Sequence, residues 1–345
     1  MLMVKKQIVM LPGDGIGPEV LAAAEAVIRA LPSLDFNLVE YPCGAGEYLR
    51  NGDPLPVATI EACKKADAIL LGAMGIPEVR WADGREMAPQ IDLREILGLY
   101  AGVRPTRTYN AAHSPLKQSA IDYVLVREST EGLFSTRLRP RDRNANEVID
   151  EMLVTRAGSE RLFHFSFRLA QTRRRKLTLV DKANVLPSMA FFREIFDEVA
   201  KQYPDVETER IYVDAMALYL VQRPERFDVM VTENMFGDIL SDLAAATVGG
   251  MGMAPSADIG EHHAVFQPAH GSAPDIAGQG KANPVATILS VALMLEWFGE
   301  PDCIAAAKRI RSAVQRVLAD PNHATPDLRG LLKTNELTDL IVSAL

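Results

Sequence analysis

Cysteine is scarce: Cys43, Cys63 and Cys303 are the only three in 345 residues, they stand far apart, and none belongs to a CxxC pair. A disulfide framework and a cysteine-based metal ribbon are therefore excluded, and a reduced, cytoplasmic protein is the expectation. Long hydrophobic runs are also missing. The longest, such as 288–295, fall far short of the ~20 residues a membrane span needs, and the apolar run near the amino terminus leads straight into Pro12-Gly13-Asp14-Gly15 as a first strand does, not a signal peptide. Positive charge is in deficit. With 37 Lys and Arg against 45 Asp and Glu the net charge is −8, which disfavours nucleic acid and anionic membrane as partners. Any anionic ligand must then be held by a local group of cations inside a cleft. No internal repeat or low-complexity segment interrupts the chain, whose 48% hydrophobic and 24% charged residues are those of a globular protein. At ~150 residues per domain the length suggests about two domains.

Short strands and helices alternate through the first hundred residues. The run 7–11 ends at Pro12 and Gly13; a helix over 19–31 follows, with Val20, Ala23, Ala24, Val27, Ile28 and Leu31 at helical spacing. A helix over 56–65 then precedes a strand over 68–71, the alternation of a parallel α/β sheet. Between about 100 and 250 the pattern predicts strands over 123–126, 177–180, 211–213 and 229–231 and helices over 159–172 and 188–202. The basic run 173–176 reads as cations closing a helix. Helices over 285–298 and 301–318 complete the chain.

Several segments carry chemistry. Gly13-Asp14-Gly15-Ile16-Gly17-Pro18-Glu19 joins strand to helix without the GxGxxG spacing, and it suits a structural turn and a cofactor turn equally. Arg94, Arg104 and Arg127 stand in apolar or strand-end contexts, where a guanidinium needs an anion; each meets either a protein carboxylate or, together, a small di- or tricarboxylate. Asp238 and Asp242, four apart among Ile239, Leu240 and Leu243, share a helical face, and with Asp214 they offer three carboxylates to Mg²⁺ or Mn²⁺. Lys182 follows an apolar strand, a setting that suits a general base beside a metal and arginines. The small-residue loop from His270 through Asp275 to Asn283 lets a ligand approach the backbone, and an acid there can hold both ribose hydroxyls of NAD while repelling the 2′-phosphate of NADP.

The stretch 11–19, the three arginines, Asp181-Lys182-Ala183-Asn184-Val185, Tyr212-Val213-Asp214-Ala215-Met216, 236–242 and 270–277 occur in the order seen in the β-decarboxylating, or isocitrate/isopropylmalate, dehydrogenase family. The chain resembles that family over nearly its whole length, most closely its 3-isopropylmalate members. This resemblance implies an α/β two-domain fold that is not a Rossmann fold, with the active-site cleft between a larger domain of 1–99 and 252–345 on the cofactor side and a smaller one of 100–251 at a dimer interface. It implies a homodimer with shared sites. By the same resemblance Arg94, Arg104 and Arg127 bind the malate carboxylates, and Gln90, Ile91, Asn184 and Val185 also touch substrate. Asp214, Asp238 and Asp242 hold Mg²⁺ or Mn²⁺, with Asp214 and the base Lys182 supplied by the second subunit. His270, Gly271, Ser272, Ala273, Asp275, Ile276 and Asn283 bind NAD. The implied reaction is oxidative decarboxylation of a 2-hydroxy dicarboxylate, with 3-isopropylmalate favoured, as in leucine biosynthesis.

Two positions depart from the family pattern. Phe134 stands where the family has a tyrosine whose hydroxyl helps protonate the product carbon; Ser129, Thr130, Ser135 or a water are candidate substitutes, and a binding paralogue of low activity is the alternative. Gln90 and Ile91 stand where isopropylmalate enzymes present two leucines. The serine and asparagine used for isocitrate are absent, so D-malate, tartrate and other 3-substituted malates stay open beside isopropylmalate.

Overall fold

The computed structural model describes residues 6–117, 120–137 and 146–345. In chain order the elements are β1 (Lys6–Gly13), α1 (Gly17–Arg29), β2 (Phe36–Glu40), α2 (Ala45–Asn51), α3 (Val57–Lys65), β3 (Ala68–Ala73), α4 (Pro89–Leu97), β4 (Ala101–Arg107) and β5 (Asp122–Glu128). Then come α5 (Arg156–Gln171), β6 (Lys176–Asp181), α6 (Pro187–Ala200), β7 (Glu207–Tyr212), α7 (Val213–Gln222), β8 (Val229–Thr232), α8 (Asn234–Val248), β9 (Pro255–Ile259), β10 (Ala264–Pro268), α9 (Val285–Phe298), α10 (Pro301–Val317) and α11 (Thr334–Ser343). The α/β class read from the sequence holds.

Among the described residues, β1 to β10 join one ten-stranded sheet in the order β2-β1-β3-β10-β9-β4-β5-β8-β6-β7. Strand β9 is its seam, running antiparallel to β10 on one side and to β4 on the other, where Gly102 faces Asp258. Beyond the antiparallel β4–β5 pair, the pairings of β5 with β8, β8 with β6 and β6 with β7 are parallel, as are those of β1 with β2 and β3. The central strands read as apolar runs because helices cover both faces. In β1, Ile8 and Met10 join one core with Val27, Leu70, Phe266 and Ile288, while Val9 and Leu11 turn to the other face with Ile69, Leu71, Leu93 and Leu97. Helix α9 is buried nearly all round, which is why its sequence lacks a polar stripe.

Most observed boundaries fall within a few residues of those expected, and two of the differences have a clear local cause. The helix expected from 159 begins at Arg156, because Thr155 caps it by accepting from the Gly158 amide at 3.0 Å. The strand expected over 211–213 stops at Tyr212, and Val213 opens α7, whose Met216 and Leu220 are buried four residues apart. Asp214 therefore sits in a first helical turn, where a carboxylate is favoured. Among the described residues no helix is long and apolar enough to cross a membrane.

Candidate active site

Helix α4 and the strands beside the seam deliver the arginines. Arg94, Arg104 and Arg127 line one cleft of about 240 Å³, together with Gln90 and Ile91 from α4, Phe134, Asp238 and Asp242 from α8, and His270 and Gly271. Arg94 Nε donates to Asp258 Oδ2 at 2.9 Å and Arg104 Nη2 to Oδ1 at 3.2 Å, and Gln267 Nε2 adds a bond of 2.8 Å to this fully buried carboxylate. Burial alone would push the Asp258 carboxyl up; Arg94, Arg104 and Arg127 outweigh it and hold the group below the usual range. Two guanidinium groups thus share one carboxylate. Arg94 spends only Nε on it, which leaves its terminal nitrogens for an anionic ligand.

Arg127 is held separately. Its Nε and Nη2 donate to Asn234 Oδ1 at 3.0 and 2.7 Å, Nη1 bonds Asp238, and the Phe134 ring lies 5.3 Å from the guanidinium carbon. Burial brings Arg127 down to about 10, with Asp238 opposing and Arg94 and Arg104 assisting, so it stays cationic at neutral pH.

Glu233 caps α8 by accepting from the Met235 and Phe236 amides at 3.1 and 2.6 Å, which fixes the turn carrying Asp238 and Asp242. The Asp242 carboxyl is pushed up by burial and then by Asp238. Two carboxylates one helical turn apart at the cleft supply the oxygen donors that fit a hard divalent cation. Asp214 is elsewhere: it accepts from Lys182 Nζ at 2.6 Å, and that bond holds its carboxyl low. Neither residue lines the cleft of its own chain, nor do the exposed Asn184 and Val185. The three aspartates do not gather within one chain, and among its described residues no group of three His, Cys, Asp or Glu is arranged for a metal.

The 270s loop is tied to the first turn. Ile16 N donates to Ser272 O at 2.8 Å and Ser272 Oγ to Gly75 O, while Asp14 accepts from the Ala45, Gly46 and Gly75 amides, each at 2.8 Å. Gly15, at φ +59°, passes so close to Ser272 O that a β-carbon would lie 1.9 Å away. The glycine motif is thus a structural knot that sets the loop's height. Within the loop Ala273 adopts φ +38°, Asp275 is exposed, and Ile276 packs with Ile16, Val20 and Ala282. Asn283 is already engaged, donating to Asp327 Oδ2 and accepting from Val285 N, both at 3.0 Å. His270 Nδ1 faces Gly271 O at 2.9 Å and so carries the proton; burial holds the imidazole below its usual pKa. Its Nε2, Gln90 Oε1 and Ser256 Oγ are buried without a partner among the described residues, and all three residues line the cleft. Unsatisfied polar atoms concentrated in one place mark a ligand site.

The model of the isocitrate/isopropylmalate dehydrogenase family matches residues 7–341. This chain belongs to that family. It is 44% identical to the 3-isopropylmalate dehydrogenase of Heyndrickxia coagulans, over 99% of this chain and 97% of that one. It is 43% identical to the 3-isopropylmalate/3-methylmalate dehydrogenase of Methanocaldococcus jannaschii, over 96% and 97%. Among solved structures, isocitrate dehydrogenase from Methylococcus capsulatus superimposes with a TM-score of 0.90 at 39% identity, covering 98% of this chain and 99% of that one. As a member of the isocitrate/isopropylmalate dehydrogenase family the protein is a β-decarboxylating dehydrogenase.

In this family member the sequence motifs located the arginines and the α8 acids but missed what holds them. Asp258, Gln267, Asn234 and Ser256 all belong to the site. Asp258 had a visible signal, a lone acid inside the short stretch 255–259; Asn234, two residues beyond the end of β8 at Thr232, had none.

Proposed function

We propose that the protein is an NAD- and divalent-metal-dependent enzyme that oxidises and decarboxylates a malate-type 2-hydroxy dicarboxylate, with 3-isopropylmalate the leading substrate and leucine biosynthesis the pathway, in the cytoplasm. The gathering of three arginines and two aspartates in one cleft carries this reading. The guanidinium groups of Arg94, Arg104 and Arg127 hold the substrate carboxylates and fix the C2 hydroxyl beside Asp238 and Asp242. A divalent cation bound by Asp238, Asp242 and a partner's copy of Asp214 would supply Lewis acidity at that hydroxyl, and NAD would accept the hydride. Lys182 of the second subunit takes the hydroxyl proton at Nζ. Exposed Asp275 suits the ribose hydroxyls of NAD, and Ile276 lines the loop beside it.

The shared-site homodimer draws support from an exposed apolar face on the same helices. Leu218 and Val221 of α7 and Ile239 of α8, between the two metal carboxylates, are 51%, 44% and 61% exposed. A second copy covering them brings its own α7 and Lys182 toward this cleft. The corresponding domain division is 1–99 with 252–345 against 100–251, which assigns β4–β8 to the dimerising domain.

Initial rates of NADH formation with Mg²⁺ or Mn²⁺ across 3-isopropylmalate, D-malate, tartrate and isocitrate, with NADP as the control cofactor, test the proposal. A preference for 3-isopropylmalate with NAD supports it. Preference for another malate replaces the substrate, and no turnover by protein that still binds NAD favours a binding paralogue.

A further inference from the structure

Helix α4 carries Gln90, Ile91 and Arg94 into the cleft, yet only Leu93 and Leu97 among its nine residues sit in the core beneath it. A two-turn helix with so small an apolar footing does not hold its own position. Its other face presents Asp92 and Glu95, three apart and so side by side. Between them lies Arg137, whose Nη2 donates to Asp92 Oδ1 at 2.6 Å and whose Nη1 donates to Glu95 Oε1. The guanidinium is largely buried, with 19% of its side chain exposed. Arg137 closes the short turn Phe134–Thr136, which follows β5 and puts Phe134 on the cleft wall beside Arg127. At their base the two walls are also joined by the Ser129 amide, which donates to Tyr100 O at 3.0 Å, and by the β4–β5 ladder, while Arg94 ties α4 to Asp258 on β9.

We infer that Arg137 is a positioning residue: its two-carboxylate clasp locks α4 to the Phe134 turn and thereby sets the distance between Arg94 on one wall and Arg127 on the other. It does not touch the ligand. Its effect falls on the geometry with which two guanidinium groups from different elements meet one dicarboxylate, where small displacements are costly. A fork with two separated donors is suited to this bridging, and a lysine is not. The inference rests on the assignment of the cleft to a dicarboxylate substrate.

The test uses the full-length protein with NAD, Mg²⁺ and 3-isopropylmalate, or whichever of the four acids named above the wild type turns over fastest. Arg137→Ala raises KM for the acid about tenfold while kcat stays within about twofold and KM for NAD is unchanged. The Asp92→Asn/Glu95→Gln pair gives the same rise, the triple variant gives no more, and Arg137→Lys recovers part of the loss. An unchanged KM for the acid in Arg137→Ala, or a triple variant whose effect is the product of the two, overturns the clasp. If the wild type turns over none of the acids, the proposed function fails by itself, and hydrogen–deuterium exchange of residues 89–97 decides. Faster exchange there in Arg137→Ala, with β5 and β8 unaffected, supports the clasp; unchanged exchange overturns it.

Discussion

Gly237 lies against Arg127 so closely that a β-carbon at position 237 would come within 2.6 Å of Arg127 Cγ. Both residues have little room to yield, since Arg127 is pinned by Asn234 at one end and Asp238 at the other. In an open helix, Gly237→Ala would gain about 1 kcal/mol of helix propensity. Here the overlap costs ~1–3 kcal/mol and is relieved by moving α8 outward, taking Asp238 and Asp242 with it. The expected outcome is a net loss of stability below 2 kcal/mol with a fall in kcat/KM of about tenfold or more. Urea unfolding together with steady-state kinetics checks it; a stabilised variant of full activity would show that the contact is slack.

Asp258 ties acid sensitivity to the arginine pair. Its folded pKa lies below its unfolded value of about 3.9. The stability it contributes is therefore complete above that value and is lost as pH falls through the folded pKa. Asp258→Asn leaves Arg94 and Arg104 buried without their counter-charge, a loss of ~3–5 kcal/mol at neutral pH. The stability gap between wild type and variant should narrow as pH drops from 5 toward 3. Urea midpoints measured along that series read it directly, and a gap independent of pH would mean that the carboxylate's charge is not what matters.

How much of this was open to sequence depended on whether a side chain's role is local. Asp238 and Asp242 share a face because four residues make a helical turn, and the motif around them says so without a fold. The apolar runs of β1, β3, β5, β6 and β8 are likewise self-evident, being buried on both faces. Strands β9 and β10 were not recognised, since five residues each, interrupted by Asp258 in one and by Gln267 and Pro268 in the other, are too short to read as strands until the seam pairs them. Asp14 was ambiguous for a similar reason: its three amide donors come from residues 45, 46 and 75. The pairing of Arg94 with Asp258 spans 164 residues and is set only by the antiparallel crossing of β4 and β9.

Phe134 offers a separate handle. Its ring covers Arg127, and the hydroxyl that the family uses to protonate the product carbon is missing from this position. Phe134→Tyr keeps the ring and restores the hydroxyl. The expected result is a higher kcat for decarboxylating turnover, with KM for the dicarboxylate little changed, because the addition acts on a step after binding. An unchanged kcat would show that another donor, or water, already serves.

Shared active sites make the sharpest demand on the model of function. Lys182 is bonded to Asp214 and lies outside its own chain's cleft, whereas Arg94 lies inside. If each site draws Lys182 from the neighbouring subunit, Lys182→Ala and Arg94→Ala homodimers are both inactive, but a hybrid dimer carries one site with both residues intact. Random reassortment of equal amounts makes half the dimers hybrid, so activity should return to about a quarter of wild type. Mixing the two variants under subunit-exchange conditions, with an unmixed control of each, measures this. Recovery absent despite hybrid dimers resolved by native mass spectrometry would place Lys182 and Arg94 in the same chain's site, and the proton acceptor would then have to be sought among the residues that line the cleft.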